Sequence, residues 1–148
     1  MLSRRPPVQR GFTLLETLVA LAIAAILASL SYPAFAEQIR KARRSDALVR
    51  LAQLQLVQER WRSEHAGYAS LAELALPAET ADGLYRLSVA EPQADGYVAL
   101  AEARGAQGRD GPCRFLQLRV AGGNTLRSSG ADAGVANGAA VNDRCWNR

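Results

Sequence analysis

Between Thr17 and Ala36 the chain carries no charged residue over 20 consecutive positions. As an α-helix such a run rises about 30 Å, the hydrocarbon thickness of a bilayer. Its Ala, Leu, Ile and Val side chains, interrupted only by a few others such as Ser29 and Ser31, show no one-sided apolar stripe of the kind that marks a surface helix on a globular core. The segment is apolar all round and able to span a membrane. The whole chain has 148 residues, which suits one domain with one modest core and excludes a two-domain enzyme on size.

Residue usage removes further classes. His65 is the sole histidine, and Cys113 and Cys145 are the only cysteines. That is too few ligands for a zinc site, so no metal and no cofactor is expected. His65 follows Glu64 and precedes Ala66-Gly67, where a helix ends, and reads as a solvated loop residue rather than the base of a Ser-His-Asp or Cys-His machine. No glycine loop with a phosphate-binding lysine is present, and the chain is not expected to be an enzyme. The formal net charge is +4, and Lys41 is the only lysine. An arginine surplus of this size fits a membrane surface, nucleic acid or neither.

Arg4, Arg5 and Arg10 precede the apolar run, and Arg40, Lys41, Arg43 and Arg44 follow it, so counting positive charges leaves the orientation close to a tie. Two cysteines near the end of a small chain with no metal partner are most simply a disulfide, which persists outside the reducing cytosol. That places the C-terminal part outside. Two readings of the N-terminus then compete. A secretory signal would use the basic start, the apolar run and Ala34-Phe35-Ala36 as its cleavage site, releasing a soluble protein. Against it stands Glu16 at the front of the run, where a carboxylate costs about 2.5 to 3.5 kcal/mol or more in hydrocarbon and has no use in a disposable signal.

Gly11-Phe12-Thr13-Leu14-Leu15-Glu16, preceded by a short basic leader and followed by the apolar run, resembles the class III signal of type IV pilins and pseudopilins. Pro33 matches the proline that often follows the span in that family. The resemblance covers Arg10 to about Arg50. It implies cleavage between Gly11 and Phe12 by a membrane prepilin peptidase on the cytoplasmic side, then methylation of the new amine on Phe12. Glycine suits such a site because, lacking Cβ, it lets the backbone lie extended against a protease. The leader is lost and the apolar helix stays as an anchor.

For Glu16 the resemblance implies pairing with the N-terminal amine of a neighbouring subunit as helices pack together, since neither charge tolerates apolar surroundings alone. Such a pair fixes axial register much as a buried polar residue does in a coiled coil. Snorkelling of Glu16 to the cytoplasmic headgroups is the plainer alternative. Thr17 and Ala25 depart from the major-pilin pattern, where a large aliphatic residue and a glycine are common. The wording from Glu16 to Ile23 is closer to minor pilins and pseudopilins. Pro33 is expected to remove one helical hydrogen bond and to kink or melt the helix.

Beyond Pro33 the pattern turns amphipathic. Ala47, Leu51, Leu54, Val57 and Trp61 share one broad face, with Arg50, Gln53, Gln58, Arg60 and Arg62 off it or on its rim. The spacing predicts a helix to about Ser63 whose apolar face needs a sheet. Residues 84–90, 96–103 and 113–121 alternate as strands do, separated by turn-rich stretches at 91–96 and 105–112. The expectation is an α+β chain: a long N-terminal helix, membrane-spanning in its first half, packed on a small antiparallel β-sheet, which is the type IV pilin fold. Gly67-Tyr68 resembles the family's connecting segment, and Tyr68 reads as a core or helix-covering aromatic. The last 28 residues lack any periodicity that secures a strand or helix. A Cys113–Cys145 staple would close a 33-residue loop, worth about 3.7 kcal/mol by chain entropy. Cys145-Trp146 resembles the C-terminal disulfide loop of type IVa pilins, PilE-like minor pilins above all; type II secretion pseudopilins usually lack it.

The plan is thus a leader at 1–11, a transmembrane and assembly helix at 12–36, its amphipathic half at 37–64, and an extracytoplasmic head at 65–148. The function implied is that of a minor pilin built into or initiating a type IV pilus and supporting adhesion and twitching motility. Before assembly it would sit in the bacterial inner membrane, N-terminus cytoplasmic. Its partners would be other pilin subunits, the prepilin peptidase, the assembly platform and the motor ATPase. One alternative is a type II secretion pseudopilin. Another is a DNA-binding pilin of an uptake filament, motivated by Arg40-Lys41-Ala42-Arg43-Arg44 and by Arg104, Arg109, Arg114, Arg119 and Arg127. Headgroup attraction explains the first of these clusters without DNA.

Overall fold

The computed structural model describes residues 11–147; Arg4, Arg5 and Arg10, and with them most of the expected leader, lie outside the described residues. Helix α1 runs over Leu14–Glu64. The chain divides into two compact units at Gln38/Ile39.

In the first unit every large apolar side chain from Phe12 to Phe35 is exposed. An 18-residue window here reaches a mean hydropathy of 2.2 with none of it buried, so the helix is long and apolar enough to cross a bilayer. The hydroxyls of Ser29 and Ser31 are satisfied locally, donating to the carbonyls of Ile26 and Leu27 at 2.7 and 3.0 Å, which lets them sit in apolar surroundings. Pro33 lies inside α1, with helix assigned on both sides of it.

In the second unit the rest of α1 buries Ala47, Leu51 and Leu54, three of the five residues expected on its apolar face; Val57 and Trp61 are half-buried. They pack in one core with a four-stranded antiparallel sheet, ordered β1 (Tyr85–Ala90), β2 (Gly96–Ala103), β3 (Phe115–Ala121) and β4 (Asn124–Gly130). Strand β2 turns Tyr97, Ala99, Ala101 and Ala103 inward; three alanines in a row on that face leave room for the side chains of α1. Strands β1 and β2 pair from Tyr85↔Ala103 to Ala90↔Val98, and β2 and β3 from Gly96↔Ala121 to Glu102↔Phe115. At Gly96 a Cβ would clash with the carbonyl oxygen of Val120, so only glycine lets the strands close there.

The tail, whose sequence has no periodicity to secure a strand or helix by itself, holds one of each. Gly122 and Gly123 both adopt positive φ, 54° and 80°, as a two-residue hairpin turn requires, and they fold β4 back on β3. A short helix α2 (Ala139–Trp146) follows. Neither β4 nor α2 has strong intrinsic propensity; pairing with β3 and attachment by side chains decide them. Asn142 donates to the carbonyl of Arg127 at 3.0 Å, and the Trp146 indole to that of Ser128 at 3.1 Å, so α2 covers part of the β4 edge. Two strand starts also shift. Strand β1 begins at Tyr85 rather than 84. Strand β3 begins at Phe115 rather than 113, because Cys113 closes a 3-10 turn over Gly111–Cys113, where Pro112 has no N–H to give a strand.

Candidate assembly site and nucleic-acid interface

Gly11 and Phe12 precede α1 in non-helical backbone, and Phe12 is 82% exposed. The backbone N–H of Glu16 donates to Thr13 Oγ1 at 3.3 Å, and that of Thr13 to Glu16 Oε2 at 3.5 Å. These reciprocal bonds form a capping box, in which Thr13 and Glu16 satisfy two backbone donors that a helix start leaves orphaned. A Thr followed three positions later by Glu is the local signal of such a box. Glu16 therefore stands at the positive end of the helix dipole, where a carboxylate is favoured.

The basic cluster after the span does not point uniformly outward. Arg44 is buried at 8% exposure. Its Nε and Nη2 donate to both carboxylate oxygens of Asp110 at 2.9 Å, and its Nη1 donates to the carbonyl of Arg144 at 2.9 Å. Gln107, fully buried, donates through its amide to the Arg40 carbonyl, the Tyr85 hydroxyl and Asp110. Burial pushes the Tyr85 phenol well above its ordinary range, and the Gln107 bond offsets this only in part. Gln58 corrects its placement off the apolar face: it is fully buried and exchanges two hydrogen bonds with the Ala69 backbone, at 2.7 and 2.9 Å. Tyr68 is buried as expected and donates to Glu59. His65 is exposed and stacks on Trp61 with ring centroids 3.8 Å apart, its Nδ1 2.9 Å from the Trp61 carbonyl.

Cys113 and Cys145 form a disulfide, with Cα atoms 5.3 Å apart. The bond joins the chain segments that carry Arg114 and Arg144, each next in sequence to a bridged cysteine, and Gln107, two residues before Arg109, donates to the Arg40 carbonyl. Arg109, Arg114 and Arg144 are exposed there. Of the head arginines expected to face DNA, Arg104 and Arg114 share Glu102 at 3.3 and 3.8 Å, and Arg119 lies 3.8 Å from Glu91. Such surface pairs hold little energy and yield readily to a phosphate. Arg109 and Arg127 have no carboxylate within 4 Å among the described residues. Arg144, absent from the arginines that the sequence pattern brings together, is tied by the disulfide to the segment that carries Arg114.

Two family models match the chain. One, described as Prokaryotic N-terminal methylation motif, covers residues 7–32. The other, described as Type IV minor pilin ComP, DNA uptake sequence receptor, covers residues 33–117, more than half of the chain. The chain belongs to the ComP family of type IV minor pilins. The comparison with curated proteins gives no match. Membership explains the architecture, since a long N-terminal helix, a small antiparallel sheet and a disulfide-closed C-terminal loop are the pilin α+β fold. Pilin families are structural subunits. The ComP match ends at residue 117, so β4, α2 and the arginine at 144 lie beyond it.

Proposed function

We propose that this chain is a minor subunit of a type IV pilus that contacts DNA through its head. The observation that carries the reading is the ComP match over residues 33–117, whose description names a DNA uptake sequence receptor, together with the exposed arginines gathered around the disulfide. A duplex presents one phosphate charge about every 1.7 Å of its axis, and arginines that neutralise phosphates release counterions. Arg109, Arg114 and Arg144 supply that chemistry. Adhesion and twitching motility rest on the filament alone, and no feature of the head favours either.

In this reading the peptidase cuts between Gly11 and Phe12 and the amine of Phe12 is methylated. The apolar half of α1 holds the chain in the inner membrane, N-terminus cytoplasmic, until the platform and motor ATPase draw it into a filament. Glu16 then exchanges its bond to Thr13 for the methylated amine of a neighbour, a stronger charge-assisted contact, and Pro33 gives the helix a place to bend. Mass spectrometry of the mature chain should find an N-methylated Phe12; a chain beginning at Glu37 would overturn the anchoring. Immunogold labelling of sheared filaments should lose the Glu16→Ala chain while membranes retain it. Full-length protein in detergent should bind duplex DNA with an affinity that falls steeply with salt and that drops when Arg109 and Arg144 become Gln. No binding at low salt removes the DNA role and leaves the pilus role standing.

A further inference from the structure

Strand β2 ends and β3 begins at one end of the sheet, and the segment 104–114 joins them there. It is also the end at which the second unit starts. Gln107 donates to the Arg40 carbonyl at 3.0 Å. One turn further along α1, Arg44 holds Asp110 and the carbonyl of Arg144. Arg109 lies between Gln107 and Asp110 in sequence, so Arg40, Arg109 and Arg144 share this base of the head. Lys41, Arg109 and Arg144 are exposed and Arg40 is half-buried. None of these cations has a carboxylate within 4 Å among the described residues. Asp110 is buried on Arg44, and Glu102 is shared by Arg104 and Arg114. Glu37 and Asp143, the acids nearest the free cations in sequence, are exposed and too few to neutralise them.

In the anchored chain this base adjoins the bilayer. Arg40 follows Ala36, the last residue of the uncharged run, by four positions, which is about 6 Å along a helix. Headgroups add about 5 to 8 Å to each side of the hydrocarbon, so Arg40 and Lys41 stand at headgroup depth. Tyr32, 75% exposed, precedes them as the interfacial aromatic that membrane spans carry. The Gln107 bond to Arg40 keeps the segment that carries Arg109 at the same level. A guanidinium at that depth meets phosphate, which it holds through paired, charge-assisted hydrogen bonds.

We propose that Arg40, Lys41, Arg109 and Arg144 seat the base of the anchored head on anionic lipid headgroups, so that DNA reaches Arg109 and Arg144 only once the chain has left the bilayer. This rests on the reading of the chain as a DNA-contacting pilin and adds a regulation of that same site. A leaflet carrying anionic phosphates attracts Lys and Arg within a Debye length of about 8 Å, the reach of residues at headgroup depth. Extraction strips the headgroups away and leaves the same guanidiniums open to the phosphates of a duplex.

The test places full-length protein in nanodiscs of phosphatidylcholine, with or without phosphatidylglycerol, that contain a headgroup spin label as quencher. A fluorophore is attached through Ala106→Cys, in the 104–114 segment, or through Ala94→Cys, in the β1–β2 turn at the opposite end of the sheet. Both positions are exposed, and the native cysteines are tied up in their disulfide. Quenching is expected at position 106 and not at 94, and should rise with phosphatidylglycerol. It should fall with added salt, and by at least about half in Arg109→Gln/Arg144→Gln. That variant keeps the fold, because Arg44 holds the backbone of Arg144 and not its side chain. Equal quenching at the two positions, or quenching at 106 indifferent to phosphatidylglycerol and to the two arginines, would overturn the lipid contact while leaving the DNA role intact. Duplex DNA bound in phosphatidylglycerol discs as tightly as in detergent would overturn the masking. Protein that binds no DNA in detergent removes the DNA role and the masking with it, and the quenching pattern then decides the lipid contact alone.

Discussion

Arg44 and Asp110, 66 positions apart, meet in the interior through two 2.9 Å hydrogen bonds, while the same guanidinium holds the carbonyl of Arg144. Asp110 lies just before Cys113 and Arg144 just before Cys145, so one arginine of α1 grips both ends of the disulfide loop. Breaking a buried pair by removing one member strands the other charge, at a cost of about 3 to 5 kcal/mol. Arg44→Met is therefore expected to destabilise the head by that amount in denaturant titration of the full-length protein. The double variant Arg44→Met/Asp110→Leu should recover most of it.

The disulfide joins residues 32 positions apart, and the chain-entropy account values its loop at about 3.7 kcal/mol. Cys113→Ala/Cys145→Ala should lower the unfolding free energy by about that amount. It should loosen β4 and α2 first, read as faster amide exchange at Thr125 to Ser129, because Arg44 holds Asp110 through two charged bonds and α2 through a single carbonyl.

Tyr85 and Tyr97 are both buried, and desolvation holds both phenols above their ordinary value of 10.0. The unfolded chain loses these protons near pH 10 and the folded chain keeps them. Stability from this source is thus complete below pH 10 and declines as pH rises through the folded values. The two hydroxyls differ: Tyr85 accepts from Gln107, whereas Tyr97 OH is buried with no partner. Tyr97→Phe should raise stability by about 1 kcal/mol and Tyr85→Phe should lower it by a similar amount, and each should flatten the alkaline decline seen by circular dichroism.

Gly96→Ala places a methyl against the Val120 carbonyl, a backbone atom that cannot swing aside. The β2–β3 ladder should open locally, at a cost of about 1 to 3 kcal/mol. Gly83→Ala meets nothing within 4 Å, and its only strain is its positive φ of 67°, so its thermal midpoint should fall less than that of Gly96→Ala.

The long helix, its apolar first half and the meander β1 to β3 were legible because each rests on a local signal: absence of charge, a 3.6-residue stripe, alternation broken by turn residues. The Thr13–Glu16 box was equally local and passed over. Strand β4 was not legible by its composition, since Asn124, Ser128 and Ser129 have no strand preference of their own; the Gly122-Gly123 turn was its one signal. Nothing near Arg44 separates it from Arg43 or Arg40, yet Arg44 turns inward and is buried.

What the sequence determined by itself is whatever a neighbour a few residues away can enforce: the anchor, the capped helix start at Glu16, the amphipathic face and the hairpin turns. What only the tertiary structure decided is which charges are hidden and which are shown. Arg44 is spent inside on Asp110, and Arg109, Arg114 and Arg144 are gathered outside by a disulfide. Those outcomes depend on contacts between residues tens of positions apart, where burial makes an unpaired charge intolerable and only the folded backbone brings its partner within reach.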